Sequence, residues 1–206
     1  MVTSNKNLMA QAREALSGRW GLAVGVYFIY ILFVVATEIP GLLIKNPLSS
    51  LIGFVLILLI GGVFALGLAN FDLAIARKKD ANVQMVFSGF ERFGRATGLF
   101  LLMMFLVFLW TLLLIIPGII AAISYAMAFY IMSDNPNVGL WEALDKSKKM
   151  MKGYKWKYFC LCLRFLGWIL LGILTLGIGL LWVIPYMAVS CANFYNDLKA
   201  NSTEVQ

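Results

Sequence analysis

Apolar positions fall in long blocks along this chain, separated by short stretches in which apolar and polar residues recur with a helical period. The blocks cover residues 20 to about 39, 51 to about 76, 98–132 and 158 to about 195. A helix needs about 20 apolar residues to cross a hydrocarbon layer roughly 30 Å thick. The first two blocks suit one crossing each, the first ending at Pro40. The third block has 35 residues. As one straight helix it would reach roughly 52 Å, too long for a single crossing. IIPGII lies at its middle, and Pro-Gly breaks a helix and makes a turn. The block therefore reads as two crossings with Pro117 and Gly118 at the tip. The fourth block has the same excess length, with TLGIG at 175–179 and Gly177 and Gly179 as its turn residues. The pattern predicts an all-α, polytopic membrane helix bundle of six transmembrane helices arranged as three hairpins.

A short amphipathic stretch precedes each hairpin. The first has Leu8, Ala12, Ala15 and Leu16 on one face and ends at Gly18. The second has Val83, Val86, Phe87 and Phe90 and ends near Gly94; the third has Leu140, Ala143, Leu144, Ser147 and Met151 and ends at Gly153. These spacings predict interfacial helices with one apolar stripe. Each glycine can cap a helix C-terminus, and Pro136 suits the first turn of the third helix. The unit recurs in a single membrane domain, 1–206, with repeat boundaries at about 1–76, 77–133 and 134–206.

Composition agrees. Of 206 residues, 62% are hydrophobic and 13% charged, roughly half the charge of an average soluble domain, and the mean hydropathy is +0.86. The net charge of +7 could fit nucleic acid, but its placement fits a membrane better. With the N-terminus inside, the expected cytoplasmic segments hold Lys6, Arg13, Arg19, Arg77, Lys78, Lys79, Arg92, Arg95, Lys146, Lys148, Lys149, Lys152, Lys155, Lys157 and Lys199. Only Lys45 falls outside, and Arg164 falls within a crossing. Basic residues gather on cytoplasmic loops, so the expected location is a cytoplasmic membrane with both termini inside. The N-terminal stretch lacks the small-residue cleavage site of a signal peptide.

Two features ask for a partner. Lys146, Lys148, Lys149, Lys152, Lys155 and Lys157 crowd twelve residues beside Tyr154 and Trp156, a surface suited to anionic lipid headgroups. Arg164 lies seven residues beyond Lys157, roughly 10 Å along a helix. An unpaired arginine in a crossing is costly. Asp72, five residues before Arg77, sits at a comparable depth, so an Asp72–Arg164 ion pair is expected, with Asn70 or Asn193 as hydrogen-bond partners. The alternative is that Arg164 snorkels alone to the headgroups. Gly61 and Ala65 form a small-xxx-small step, suited to packing within the monomer or to a homodimer face.

IIPGIIAAISYAMAFYIM, EALDKSKKMMKGYKWKYF, LGWILLGILTLGIGLLWVIPY and ANFYNDL, with NLMAQAREALSGRWGLAV at the N-terminus, together resemble the domain-of-unknown-function 975 family of bacterial integral membrane proteins. The resemblance covers nearly the whole chain and implies no established activity or catalytic residue. That family is distantly similar to the membrane region attached to some glycerophosphodiester phosphodiesterases, which implies a lipid-adjacent role. A small or apolar residue is expected in the family where this chain has Arg164.

No catalytic constellation emerges. The chain has no histidine, the commonest general base and metal ligand. Phosphate-cradling glycine loops, His-Glu-x-x-His and Gly-x-Ser-x-Gly are missing, and Glu38, Asp72, Asp134 and Asp197 are scattered over four crossing ends. Cys160, Cys162 and Cys191 read as buried free thiols, with palmitoylation as the alternative, and Cys160 and Cys162 point to nearly opposite sides of a helix. The sequon at Asn201 is without meaning on a bacterial cytoplasmic tail. No enzyme, metal or cofactor is expected. The expected role is an accessory or scaffold protein with a basic, lipid-facing inner surface and membrane lipids, a membrane protein or a second copy as partners. The alternative is a transporter or lipid-handling protein with a cavity between hairpins.

Overall fold

The computed structural model describes residues 3–44 and 47–203, without the side chains of 38, 40–44, 47–50 and 202–203, so Lys45 and the Glu38 side chain lie outside the described residues. Among the described residues there are nine α-helices and one 3₁₀ segment, and no strand. The helices are α1 (Asn5–Leu16), α2 (Trp20–Ile44), α3 (Pro47–Ala76), α4 (Phe93–Leu113), α5 (Ile115–Tyr125), α6 (Ala128–Asp134), α7 (Leu140–Met150), α8 (Lys155–Leu174) and α9 (Leu180–Thr203). The 3₁₀ segment, Val83–Arg92, leads into α4.

Among the described residues, five stretches are long and apolar enough to cross a membrane: Trp20–Thr37, Leu51–Ala76, Val83–Leu113, Ile115–Asp134 and Lys155–Leu174. The sixth expected crossing, α9, starts apolar but carries Pro185 inside it and turns polar at Asn193, Asn196 and Asp197. The helix of the first crossing does not stop at Pro40: α2 continues to Ile44, past the apolar stretch.

The bundle has two differently built ends. At the end that gathers the lysines and arginines, the short elements are packed into the core. Leu8, Ala12 and Leu16 of α1 are fully buried. Burying each leucine is worth roughly 1.5–3 kcal/mol relative to exposure in water, and a 12-residue helix would be marginal without it. Ser4 caps its start by accepting the Asn7 N–H at 3.3 Å. Ala143, Leu144, Ser147 and Met151 of the third stretch are buried as its period predicts. Glu142 accepts the Gly139 N–H at 3.4 Å, so α7 begins at Leu140, after rather than at Pro136. Residues 189–195 of α9 are buried without a break.

The second short stretch departs from expectation. It is 3₁₀, so every third residue shares a face, and Val86 and Gly89 are buried while Phe87 and Phe90 lie exposed beside the ring of Phe64. Two glycines make this crossing possible. A Cβ at Gly67 of α3 would collide with the Val86 carbonyl, and one at Gly89 with the Val63 carbonyl. Gly94 caps nothing and lies in the first turn of α4, whereas Gly18 and Gly153 take the left-handed conformation, φ +76° and +85°, at the ends of α1 and α7.

At the other end α4, α5, α8 and the start of α9 expose leucine, isoleucine and phenylalanine, with Phe108 63% and Ile116 71% exposed. A belt this large and apolar is one that lipid rather than water covers. The bend between α4 and α5 falls at the extended Leu114, not at Pro117 and Gly118. Pro117 occupies the first turn of α5, where no N–H is needed, and a Cβ at Gly118 would strike Thr111 of α4. The bend between α8 and α9 does use Gly177, at φ +85°, and Gly179, whose N–H donates to the Thr175 hydroxyl at 2.8 Å.

Candidate functional site

The expected Asp72–Arg164 pair does not form. Asp72 is buried and accepts the Tyr27 hydroxyl of α2 at 2.8 and 3.0 Å. Arg164 is exposed, and no carboxylate among the described residues reaches it. The buried face of α8 is Leu161, Phe165 and Gly172, and α8 packs on α9, α5 and α1 while α2 covers Asp72. Asn70 instead donates to Ser88 at 2.7 Å and accepts from Ser133. The Asn193 amide donates to the Leu8 carbonyl at 3.5 Å.

The principal ionic junction joins α3, α6 and α9 just past the apolar blocks. Arg77 grips Asp134 with two parallel bonds, 2.7 and 2.8 Å, and also donates to Asn196 at 2.9 and 3.0 Å. Tyr195 at 3.0 Å and Lys199 at 2.5 Å donate to the same carboxylate. A bidentate guanidinium–carboxylate contact fixes geometry as well as charge. The bond to Asp134 pushes the Arg77 pKa up against the opposing pull of burial. Nearby, Asp197 accepts the Thr3 N–H and hydroxyl at 2.8 and 2.7 Å, tying the N-terminal segment to α9. The sequence contains Arg77 and Asp134 as the polar ends of two apolar blocks, but their pairing needs the order of helices in space.

The lysine cluster is sorted by its neighbours. Lys146 pairs with Glu142 and Lys149 with Asp145, each one turn apart on α7 and each at 2.7 Å. The hydrogen bond from Lys146 lowers the Glu142 pKa, and the bond to Asp145 raises that of Lys149. Lys157 turns toward Asp197, 3.8 Å away, and lies 5.7 Å over the Phe194 ring. Lys148, Lys152 and Lys155 remain, with no carboxylate within ion-pair distance among the described residues. Trp156, 73% exposed, stands beside them.

Two of the clefts among the described residues have largely apolar walls. One, about 280 Å³, lies between α5 and α8; Trp110, Pro117, Ile120 and Ala121 form its apolar wall, and Lys148 and Lys155 its mouth. The break between α5 and α6 shapes it. Ser147 donates to the Ser124 carbonyl at 2.8 Å and accepts the Met127 N–H at 3.2 Å, so α7 supplies partners for backbone groups that the break frees. The second cleft, about 460 Å³, is lined by Trp20, Trp168, Trp182 and Tyr186, with Arg13 also on its wall. The expected Gly61 step is used within the monomer: Gly61 faces the Phe100 ring, and a Cβ at the adjacent Gly62 would collide with the Ala96 carbonyl.

Cys160, Cys162 and Cys191 are free, with Cys191 buried. No group of three or more His, Cys, Asp or Glu residues among the described ones is suited to holding a metal ion.

The family model described as a protein of unknown function, DUF975, matches residues 1–127 and again 111–202. No curated protein and no solved structure matches the chain. Since the two matches together run from the first residue to Asn201 and Ser202, the chain belongs to the DUF975 family.

Proposed function

We propose that this chain is an accessory or scaffold protein of the bacterial cytoplasmic membrane whose basic inner surface holds anionic lipid. It crosses six times as three hairpins, with α9 as the sixth crossing and both termini in the cytoplasm. The observation that carries the reading is the sorting of the lysines. Among the described residues, Lys148, Lys152 and Lys155 have no carboxylate partner while Lys146, Lys149 and Lys157 do, and the exposed Trp156 beside them is of the type found at membrane interfaces. Basic residues beside an anionic leaflet are each worth about 1 kcal/mol.

The test has two parts. Alkaline phosphatase fusions are expected to be active after Lys45, near Gly118 and near Gly177, and inactive after Lys79 and Lys149; activity after Lys149 would sink the topology. Protein purified in mild detergent should carry more anionic than zwitterionic lipid relative to the source membrane. Equal enrichment of the two would remove the lipid role.

A second reading, a lipid-handling protein with a cavity between helices, draws support from the 460 Å³ tryptophan-lined cleft. Its size is within the roughly 300–1,000 Å³ of small-molecule pockets. Transfer of a labelled lipid between vesicles containing the protein would favour it over the scaffold.

A further inference from the structure

The basic surface is not uniform. We propose that the cleft between α5 and α8 is a slot for one anionic phospholipid, its phosphate on Lys148 and Lys155 and the upper part of one acyl chain along Ile120 and Ala121 toward Pro117 and Trp110. This rests on the anionic-lipid reading above and narrows it to one site.

Four observations converge. The two lysines that line the cleft are among the three of the cluster without a carboxylate partner among the described residues, so their charge is available to an external anion. They are also positioned: Lys148 adjoins Ser147, which is bonded to two backbone groups at the α5–α6 break, and Lys155 opens α8 and is half-buried. Below them the wall is apolar from Ala121 to Pro117, about 6 Å of helix. Finally, Ile120 and Trp110 are exposed along the cleft, so a lipid already in the bilayer could enter sideways. A free phosphate would satisfy the lysines and leave the apolar wall unused. An amphiphile with an anionic head satisfies both.

The test compares two double variants that remove equal charge. Lys148→Gln with Lys155→Gln empties the slot of cations. Lys146→Gln with Lys149→Gln removes two lysines already paired on α7. Native mass spectrometry of the full-length protein in mixed micelles would count bound phosphatidylglycerol against phosphatidylcholine. The wild type should retain one phosphatidylglycerol through detergent washing. The slot variant should bind it about thirtyfold more weakly, and the α7 variant about as well as the wild type. Ala121→Leu, which fills the wall and keeps every lysine, should also weaken retention. Equal losses in the two double variants, with phosphatidylglycerol still preferred, would leave a diffuse basic surface and overturn the slot. No preference in the wild type would overturn the slot and the lipid reading together. Displacement by millimolar inorganic phosphate alone would overturn the lipid assignment in favour of a small-anion site.

Discussion

Helix α9 passes through two environments. Residues 189–195 are buried all round the helix by α1, α3 and α8, whereas Trp182, two turns earlier, is 48% exposed. The same contrast divides the molecule. At the basic end, packing follows the rules of water-soluble proteins: amphipathic helices bury one stripe, and buried polar groups find partners. At the apolar end only a narrow face of each helix is hidden, and helices meet where a small residue lets backbones approach, as at Gly118 against Thr111 and Gly172 against Leu180. Where the surrounding solvent is itself apolar, burial gives little preference for one helix face, and close approach takes over. Substitutions should therefore act through different physics at the two ends.

The largest effect is expected where the 3₁₀ segment crosses α3. Gly67→Ala would drive a Cβ into the Val86 carbonyl, and backbone cannot yield as a side-chain tip can. The expected loss is about 3 kcal/mol or more, seen as a collapse of monodisperse protein on size exclusion in detergent. Gly94→Ala, in open space on α4, is the contrast: it should be neutral or stabilising by roughly 0.5–1 kcal/mol. Similar behaviour of the two would mean that the crossing is not close.

Next is the ionic junction. Asp134→Ala strands Arg77 and removes a partner of Lys199 and Tyr195. Losing one partner of a fully buried pair costs about 3–5 kcal/mol. The Arg77 side chain is 28% exposed, so a loss of about 2 kcal/mol is expected, with partial recovery when Arg77→Leu is added. Lys146→Gln, which breaks an exposed pair one turn long on α7, should cost no more than about 0.5 kcal/mol. Thermal melting of the purified variants ranks them, and equal losses would erase the difference between junction and surface.

Ser147→Ala isolates the contribution of α7 to the α5–α6 break. It removes one donor and one acceptor and leaves the Met127 N–H and Ser124 carbonyl without that partner. A loss of about 1–2 kcal/mol is expected, with faster amide exchange at Met127 than at Ile123. Unchanged exchange would mean that the break needs no support from α7.

What could be read in the sequence divides along the same line. The stripes of α1 and α7 were legible because water makes helical period informative, and their buried faces are the predicted ones. The apolar blocks were legible as crossings by length, but their turns were not all so: Leu114 bends the chain three residues before the Pro-Gly that looked like the tip. The 3₁₀ segment was misread as an α-helix because Val83 and Val86, three apart, fit either period, while Phe87 and Phe90 fit only the α-helical one. The glycines at 67 and 89 were the available signal, and they speak only once the two backbones are known to cross. The lysine surface was visible as a cluster, but the division into paired and unpaired lysines depends on Glu142 and Asp145 one turn away and on Asp197 from another helix. The Asp72–Arg164 pair failed because depth along a helix is readable from sequence and facing direction in an apolar block is not.

That failed pair sets the smallest effect, and it is measurable. Asp72→Leu leaves the buried Tyr27 hydroxyl without its acceptor, for a loss of about 1–3 kcal/mol. Arg164 touches neither of them and is exposed at the rim of the apolar belt. Arg164→Leu should therefore change stability in detergent by no more than about 0.5 kcal/mol, as surface substitutions do. An ion pair would give a double variant far more stable than the sum of the single losses, because removing both partners leaves no stranded charge. Residues without contact give additive losses within about 0.5 kcal/mol. Additivity is expected here, with Tyr27→Phe reducing the cost of Asp72→Leu because those two do share a bond. Recovery of Asp72→Leu by Arg164→Leu would mean that α8 turns its arginine inward and that the arrangement of α2, α3 and α8 described above is wrong.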